Sequence, residues 1–419
     1  MTFFRAAVLT GCALATGSKA ASAQITIREI TITNAVADKS FGAILDIREL
    51  SNGGVLVNDG GRRQLLLLNL QLKQSAVVLD SAGSAGRAYG PRPAPLIRYV
   101  GDSTLFVDGQ ARALLVLSPT GDLARVMAPV QPNDLVTLSY LPSGGDREGR
   151  LIYQSTDRSK PDPKRPNVML RADSAPIVRA NFETRRIDTL ARVRLRVTTV
   201  RTESREVGSN WEHTNFVNPL PIFDEWAVTE DGSVAIVRGH DYHVDFIRQD
   251  GSKHSGPKIP FAWRPLTKAD KEALVDSSRK ARLVREQKSD NAPGSNTTGL
   301  VSSATLQARS TGAPVSSPPK FLEREVEIDE IPEYWPPVRR GSIRADRDGN
   351  IWMLPTTSSA SLKGELIYDV ADGRGNLLYR VRIPSGKAIA GFGRNGTIYL
   401  MQRSENPAQG WSLEKASLK

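Results

Sequence analysis

The sequence predicts an all-β fold, a six-bladed β-propeller with four-stranded blades and one insertion that is partly helical and partly disordered. Three observations predict it: a turn-plus-strand unit recurs, most units are about 48 residues apart, and several units contain a second hairpin signal. The composition agrees, because 39% hydrophobic residues in a chain of 419 can form a large core. A single cysteine excludes a scaffold held together by disulfides.

The recurring unit is a tight turn around a glycine, followed by a strand of β-branched or aromatic residues. Three of the five intervals between the turn glycines are 47 or 48 residues, whereas intervals of 83 and 117 residues contain extra chain. A second hairpin signal follows some units at Pro119–Asp122, Gln249–Ser252 and Ala371–Gly375, which predicts four strands per unit. The six turn glycines are Gly53, Gly101, Gly149, Gly232, Gly349 and Gly396.

The two ends of the chain are predicted to share one blade. The last unit, Ala388–Lys419, has room for about three strands, and a lone strand begins at Gln24. We predict that residues 24–32 complete the last blade and close the ring, because closure protects edges that would otherwise pair with other chains.

The first insertion is placed at residues 182–221 by the interval lengths. It contains Ala191–Val197, whose strict alternation puts Arg192, Arg194 and Arg196 on one face of a strand. We interpret this row either as a charged edge that discourages aggregation or as a site for polyanions.

The second insertion is placed at residues 266–330. A capping-box-like start at Thr267 and helical spacing up to about Gln287 predict a helix. Residues 291–320 are rich in Ser, Thr, Gly and Pro, and we predict a flexible loop there. The prolines around Trp335 indicate a rigid extended return to the ring, with the indole as a packing residue.

The N-terminus predicts export. Residues 1–23 combine an apolar stretch with Ala21-Ser22-Ala23, the small-residue pattern of a cleaved signal peptide, which leaves 24–419 as the propeller. An alternative is a lipoprotein acylated at Cys12. The signal peptide leads us to expect a periplasmic or extracellular protein. No segment is apolar enough to span a membrane, and we expect a monomer. The formal charge of +11 falls to +9 after cleavage, and we expect no specific nucleic acid as partner.

Several segments resemble a known family. They are Asp46–Leu50, Trp226–Arg238, Asp241–Phe246 and Asp348–Trp352, together with the aspartate–arginine pairs Asp59 with Arg63 and Asp108 with Arg112. Over most of residues 30–419 the chain resembles bacterial secreted six-bladed β-propellers related to the NHL-repeat type, although its aspartate–arginine gap is one residue shorter. The resemblance implies the fold and a secreted setting, and this group has no common reaction to transfer.

Catalytic signals are sparse. The mature chain has no cysteine, and no nucleophile elbow, metalloprotease, phosphate-loop or dinucleotide motif is present. The one histidine cluster is His240-Asp241-Tyr242-His243. If a strand begins at Tyr242, the two histidines fall on opposite faces, which is poor geometry for one metal ion. We therefore assign no catalytic or metal residue.

A set of loop arginines forms the candidate ligand site. Loops between the second and third strands of each blade share one face, where we expect an electropositive surface that binds an anionic ligand or protein. Alternatively, each arginine pairs with a carboxylate of its own loop: Asp59, Asp108, Asp157, Asp241 or Glu405. The candidate residues are Arg63, Arg112, Arg158, Arg238, His240 and Arg403.

Two classes of function stay open. The first is an extracytoplasmic ligand-binding or scaffolding propeller. The second is a metal-dependent hydrolase or lyase of the lactonase kind, with a divalent ion such as Ca²⁺ held in the central channel. Three or more carboxylate or amide side chains in the channel favour the enzyme, and an apolar channel favours binding.

Overall fold

The computed structural model describes residues 25–83, 88–90, 94–108, 112–138, 142–208, 210–290, 319–359 and 364–418. These ranges are dominated by β-strands, so the all-β prediction is confirmed. The predicted signal peptide, Cys12 and nearly all of the 291–320 segment lie outside them. No helix in these ranges is long and apolar enough to cross a membrane.

The elements are numbered in chain order. The first strands are β1 (Ile27–Val36), β2 (Ile44–Glu49), β3 (Val55–Asp59), β4 (Gln64–Leu68), β5 (Gln74–Leu79), β6 (Leu96–Arg98), β7 (Thr104–Asp108), β8 (Ala113–Leu117), β9 (Leu123–Met127), β10 (Ser143–Gly145), β11 (Leu151–Gln154), β12 (Lys160–Asp162), β13 (Arg165–Leu170), β14 (Ser174–Ala180) and β15 (Ile187–Arg194). They are followed by β16 (Thr199–Val207), β17 (Asn210–Val217), β18 (Glu225–Val228), β19 (Val234–Val237), β20 (Val244–Ile247), β21 (Lys253–Ser255), β22 (Lys320–Glu325), β23 (Ile343–Ala345), β24 (Ile351–Met353), β25 (Leu366–Ala371), β26 (Leu377–Ile383), β27 (Lys387–Phe392), β28 (Thr397–Arg403) and β29 (Trp411–Leu418). The α-helices are α1 (Asp134–Leu138), α2 (Lys268–Asp290) and α3 (Thr356–Ser359).

Most strands form antiparallel groups of four. In order, these are sheet 1 (β2-β3-β4-β5), sheet 2 (β6-β7-β8-β9), sheet 3 (β10-β11-β14-β15), sheet 4 (β18-β19-β20-β21), sheet 5 (β23-β24-β25-β26) and sheet 6 (β27-β28-β29-β1). The last two are continuous, because β1 pairs with β29 on one side and with β26 on the other. A separate five-stranded sheet has the order β12-β13-β16-β17-β22.

The N-terminal strand pairs with the last unit, as predicted. Ile30 lies opposite Leu418 and Ile32 opposite Ala416 in the antiparallel ladder with β29. Ahead of these pairs, Ile27 lies opposite Arg380 in a parallel ladder with β26. One strand therefore joins two groups that are otherwise formed by the C-terminal part of the chain.

The six sheets surround one axis. The first strand of each sheet lies beside the first strand of the next, from β27 through β2, β6, β10 and β18 to β23. A hydrogen bond from Arg344 Nη1 to Ala390 O (3.4 Å) connects β23 to β27. The core lies between the faces of successive sheets, as where Trp352 and Val381 of sheet 5 belong to one buried cluster with Ile398 of sheet 6.

Each of the six turn glycines lies between the first and second strands of its sheet. Their φ angles are between 61° and 84°, the left-handed region that glycine adopts without steric penalty. In the third of these turns, Asp146 Oδ1 accepts hydrogen bonds from the backbone N–H groups of Glu148 (3.0 Å) and Arg150 (2.9 Å). The predicted tight turns at these glycines are confirmed.

The first insertion differs from its predicted range of 182–221. β15, which contains most of the alternating segment, pairs with β14 and is the edge strand of sheet 3. The added chain is instead split into the hairpins β12–β13 and β16–β17 of the five-stranded sheet. The interval length counts extra residues but cannot locate them, and here they fall on both sides of β14 and β15. Within β15 the alternation holds, because Val193 is buried while Arg192 and Arg194 are exposed.

The predicted helix of the second insertion is confirmed as α2. Thr267 Oγ1 accepts a hydrogen bond from the Asp270 N–H (3.1 Å), and the Asp270 carboxylate accepts one from the Thr267 N–H (3.0 Å). Lys271 is buried and donates to Ile331 O (3.1 Å), which anchors the helix to the segment leading into β23.

Candidate functional site

The first strands of all six sheets line a common cavity of about 200 Å³. Different segments of the chain surround its two ends. At one end, the turn mouth, lie the glycine turns that follow the first strands. At the other end, the entry mouth, lie the starts of those strands and the loops between second and third strands, because each second strand runs back antiparallel to the first.

The turn mouth collects at least one charged side chain from each sheet. Five sheets contribute an arginine, and sheet 4 contributes Glu230 in its first turn. The arginines, called the arginine cluster, are Arg48, Arg98, Arg147, Arg347 and Arg394.

Arg48 is the most deeply buried member of the cluster. Its side chain is 6% exposed, and Nη2 forms an ion pair with Asp102 Oδ1 at 2.8 Å. Nη1 donates to Asp102 O at 3.0 Å. Nε is buried and has no hydrogen-bond partner in the described part of the chain. A buried donor without an acceptor is energetically unfavourable, so this guanidinium can accommodate a further acceptor.

Glu230 joins two members of the cluster. Its Oε1 lies 3.4 Å from Arg347 Nη2 and also contacts Arg98 Nη1. Arg347 Nη1 in turn donates to Glu49 O at 3.0 Å. A single carboxylate thus holds two guanidinium groups at the mouth of the cavity.

Glu49 is the third carboxylate of this mouth, and its oxygens are already occupied. It accepts hydrogen bonds from the Tyr399 hydroxyl (2.6 Å) and the Arg394 N–H (3.0 Å). The charged side chains that line the cavity itself have an excess of one positive charge: Arg48, Arg98, Arg344 and Arg347 against Asp46, Glu230 and Asp346. An anion entering the cavity therefore meets a net attractive field.

Burial is the main influence on the ionisation of these arginines. Burial, with the neighbouring Arg347 and Arg98 charges, lowers the pKa of Arg48 to about 10. Burial and adjacent guanidinium groups also lower the pKa values of Arg98 and Arg347. For Asp102 burial acts to raise the pKa, but hydrogen bonds from Ser51 and the Arg48 charge hold it below its ordinary value. A bound anion would stabilise the charged form of all three arginines.

The two aspartates of the channel are already engaged by hydrogen bonds. Asp46 Oδ2 accepts the Leu96 N–H (3.0 Å) and Oδ1 the Ile47 N–H (2.9 Å), with the Arg344 charge nearby. Asp346 is engaged by Asn350 and by the Trp352 indole N–H (2.9 Å). Across the ranges that the structure covers, no group of three or more His, Cys, Asp or Glu side chains is arranged to hold a metal ion.

The residues that the sequence nominated lie at the entry mouth. Arg63, Arg112 and Arg403 stand in or beside loops between second and third strands, and Arg158 leads into the five-stranded sheet. Of the six nominated residues, Arg238 and His240 line one cavity of about 610 Å³. Ligand binding by these residues stays a prediction.

The expected pairing of each arginine with its own loop carboxylate is wrong at three positions. Asp157 forms an ion pair with Arg192 of β15, and Arg63 donates to Tyr89 O (2.9 Å). Arg238 pairs with Asp224 (2.7 Å) and Asp245 (2.6 Å). These partners lie outside the loops in question, because the fold brings neighbouring strands and connecting segments closer than the short loops do: Arg192 belongs to β15, Asp245 to β20, and Tyr89 and Asp224 to the segments before β6 and β18.

The expected separation of His240 and His243 is also wrong. The strand begins at Val244 rather than Tyr242, and Tyr242 has a φ of 52°. This left-handed residue redirects the loop so that both histidines line the same cavity. His243 lies between two carboxylates, with Nδ1 at 2.8 Å from Asp241 and Nε2 at 3.1 Å from Asp245.

The sequence contained a signal for the arginine cluster. The position two residues before the turn glycine is occupied by Arg147, Arg347 and Arg394 in three units and by Glu230 in a fourth. The turn mouth can be identified by comparing equivalent positions of the units. A search for catalytic motifs does not find it. Arg48 and Arg98 occupy other positions of the unit, and only the structure places them in the cluster.

Glu225, at the start of β18, supports a prediction about pH. It is 9% exposed, and burial raises its pKa to about 7 despite a hydrogen bond from the Gly341 N–H (3.0 Å). The folded protein thus binds this proton more tightly than the unfolded chain, whose carboxyl has a pKa near 4.5. The stabilisation that comes from the tighter proton binding at Glu225 is fully present below pH 4.5 and is lost as the pH rises to about 7.

We expect Glu225→Gln to be more stable than the wild type at pH 8, by on the order of 2–3 kcal/mol, with the difference vanishing towards pH 4.5. Denaturant unfolding of both proteins between pH 4.5 and 8 measures it. The exposed Glu183→Gln serves as control, with a difference that does not vary in this way. A Glu225→Gln difference that is constant with pH would contradict the assignment.

Comparison with known proteins identifies no family. No family model matches the chain, and no curated protein matches it. Solved structures that align include a DUF4221 family member from Bacteroides vulgatus, at 8% identity over 94% of this chain and 99% of that one, with a TM-score of 0.44. A gluconolactonase from Xanthomonas campestris aligns at 10% identity over 94% and 97% of the two chains, with a TM-score of 0.36. Virginiamycin B lyase from Staphylococcus aureus aligns at 9% identity over 93% and 99%, with a TM-score of 0.35.

Proposed function

We propose that this chain is an exported six-bladed β-propeller with four-stranded blades, and that it acts as a binding module for a small anionic ligand at the turn mouth of its channel. Sheets 1 to 6 are then the blades, and β1 closes the ring. One observation supports the proposal above the others: Arg48, Arg98 and Arg347, from three sheets, line one cavity together with Glu230, and Arg48 is buried there.

The size and depth of the site indicate the kind of ligand. A cavity of about 200 Å³ is smaller than the ~300–1,000 Å³ typical of sites for drug-sized molecules, so it suits a phosphate, sulfate or carboxylate group. Arg48 lies deep in the site, whereas Arg147 and Arg394 are exposed at its rim. A guanidinium presents a planar pair of donors that matches such oxyanions.

Calorimetric titration of the purified protein at low salt with phosphate, sulfate, citrate and glucose 6-phosphate tests the proposal. We expect at least one of these anions to bind, with an affinity that falls as salt is added. The double variant Arg98→Gln/Arg347→Gln should bind at least tenfold more weakly, since a hydrogen bond to a charged group contributes ~1.5–3 kcal/mol. The matched control is Arg158→Gln/Arg403→Gln, which removes the same charge at the entry mouth.

A substitution that removes a negative charge, instead of positive ones, distinguishes an electrostatic effect on binding from a folding defect. Glu230→Gln keeps an amide that can contact Arg98 and Arg347 but removes a negative charge beside the cavity. We expect it to bind the anion severalfold more tightly. The proposal fails if none of the anions binds, or if the entry-mouth control loses as much affinity as the cluster variant.

The metal-dependent hydrolase or lyase is the alternative, and it is tested separately. If a divalent ion such as Ca²⁺ occupies the channel, adding Ca²⁺ raises the melting temperature and a chelator reverses the rise. Such a result with no anion binding would favour the enzyme and would direct work to lactone substrates.

A further inference from the structure

A second cavity, of about 760 Å³, lies apart from the arginine cluster. It is formed by the segments that lead into β18 and β23, together with α3, so it opens near the entry mouth. Its apolar wall contains Leu220, Phe223, Trp335 and Val338, and we call it the Trp335 pocket. Its volume is in the range of sites that enclose small organic ligands.

The wall is built from segments that are fixed to one another. The backbone N–H of Trp335 donates to Arg264 O at 3.0 Å, and the backbone N–H of Leu266 donates to Glu333 O at 2.8 Å. Thr356 Oγ1 donates to Pro336 O at 2.7 Å. Phe223 and Val338 are buried. The pocket is therefore held in shape by contacts that do not depend on a ligand.

The charge around the pocket has one sign. Arginines line it, and no carboxylate of the described chain does so. The Arg264 guanidinium lies 4.8 Å from the centre of the Trp335 ring, a cation–π contact. The four arginines are Arg196, Arg264, Arg339 and Arg340.

Trp335 also carries an unused donor. Its indole Nε1 is buried and has no hydrogen-bond partner among the residues that the structure covers. Buried indole N–H groups ordinarily find an acceptor. The sequence suggested a packing role for this residue, and the cavity beside it indicates a role in binding.

We infer that the Trp335 pocket is a second ligand site, which binds a small amphipathic carboxylate such as a medium-chain fatty acid. The apolar wall binds the hydrocarbon body of the ligand. The arginine rim and the indole N–H of Trp335 bind its carboxylate. This site is independent of the anion site proposed above, because the two lie at opposite mouths and share no lining residue.

Decanoate is the probe, measured by titration calorimetry and by tryptophan fluorescence at low salt. We expect octanoate to bind roughly tenfold more weakly, because it buries two fewer methylene groups. Decanol should also bind at least tenfold more weakly, because it lacks the charge. Arg264→Gln/Arg340→Gln should lose at least tenfold in decanoate affinity.

Three further variants make the result specific. Leu220→Trp fills the pocket and should abolish binding, whereas Trp335→Phe should weaken it severalfold and remove most of the fluorescence change. Arg98→Gln/Arg347→Gln alters the other mouth, and the part of decanoate binding that Leu220→Trp abolishes should persist in it. Thermal melts verify that each variant is folded.

The inference is wrong if decanoate does not bind, if Leu220→Trp binds it unchanged, or if decanol binds as tightly as decanoate. A dimer in sedimentation that Leu220→Trp dissociates would also overturn it, since a second copy of the chain would then cover the pocket.

Discussion

A chain that begins at residue 37 is expected to melt about 10 °C or more below a chain that begins at residue 24. Residues 24–36 contain β1, which forms an antiparallel ladder with β29 and a parallel ladder with β26. Removing it leaves two strand edges open, and each lost backbone hydrogen bond contributes ~0.5–1.5 kcal/mol. We also expect the shortened chain to aggregate, because open edges pair with other chains. Thermal melts and light scattering measure both effects.

A synthetic peptide of residues 24–38 provides the control. Added in excess, it should restore the melting temperature by pairing with the open edge. The same peptide with Ile30→Asp should fail, because Ile30 packs against the buried cluster that contains Ile398 and Ala416. Equal melting temperatures for the shortened and full chains would show that β1 does not hold sheets 5 and 6 together.

The part of the fold that sequence reasoning predicts well depends on local backbone chemistry. A turn that requires positive φ selects glycine, so Gly53, Gly232 and their equivalents repeat wherever a first strand ends. The strand at Ile27–Val36 was also predictable, since the last unit lacked a strand and the segment that begins near Gln24 supplied one. Helix α2 was recognisable from its capping residue Thr267.

The added sheet and the ion pairs were not predictable because they depend on long-range contacts. β17 pairs in parallel with β22 across more than 100 intervening residues, and no local pattern specifies that partner. In the same way, Arg347 meets Glu230 and Glu49 only because the ring brings three sheets together at one mouth. The nominated loop arginines share a face by topology, but sequence cannot say which mouth encloses a cavity.

The two mouths therefore differ in what they can bind. The turn mouth is small and charged, with Arg48 buried within it, and the Trp335 pocket near the entry mouth is larger and mostly apolar. Both carry arginine, and the anions that we propose for them differ in size and in the amount of apolar surface. Variants at one mouth consequently serve as controls for the other.

Gly145, in the first strand of sheet 3, is expected to be a position that tolerates no side chain. A Cβ atom on Gly145 would lie 2.2 Å from Arg98 O, a backbone atom of the neighbouring first strand. No side-chain rotation relieves such a contact, so the two strands must move apart. We expect Gly145→Ala to lower the free energy of unfolding by about 3 kcal/mol or more, above the usual range for overpacking of ~1–3 kcal/mol.

Gly373→Ala is the matched control, because no atom of the described chain lies within 4 Å of the Cβ position at Gly373. We expect that change to stay within about 0.5 kcal/mol of the wild type. Gly145→Ala should also weaken anion binding, since the strand that moves is the one that positions the Arg98 guanidinium beside Glu230. Denaturant unfolding and calorimetric titration measure the two effects on the same protein.

Unchanged stability would mean that sheets 2 and 3 are not in contact at this point. Reduced stability with full anion affinity would mean that the Arg98 guanidinium stays beside Glu230 although its strand has moved. The ion pairs, rather than the backbone, would then hold the arginine cluster in position.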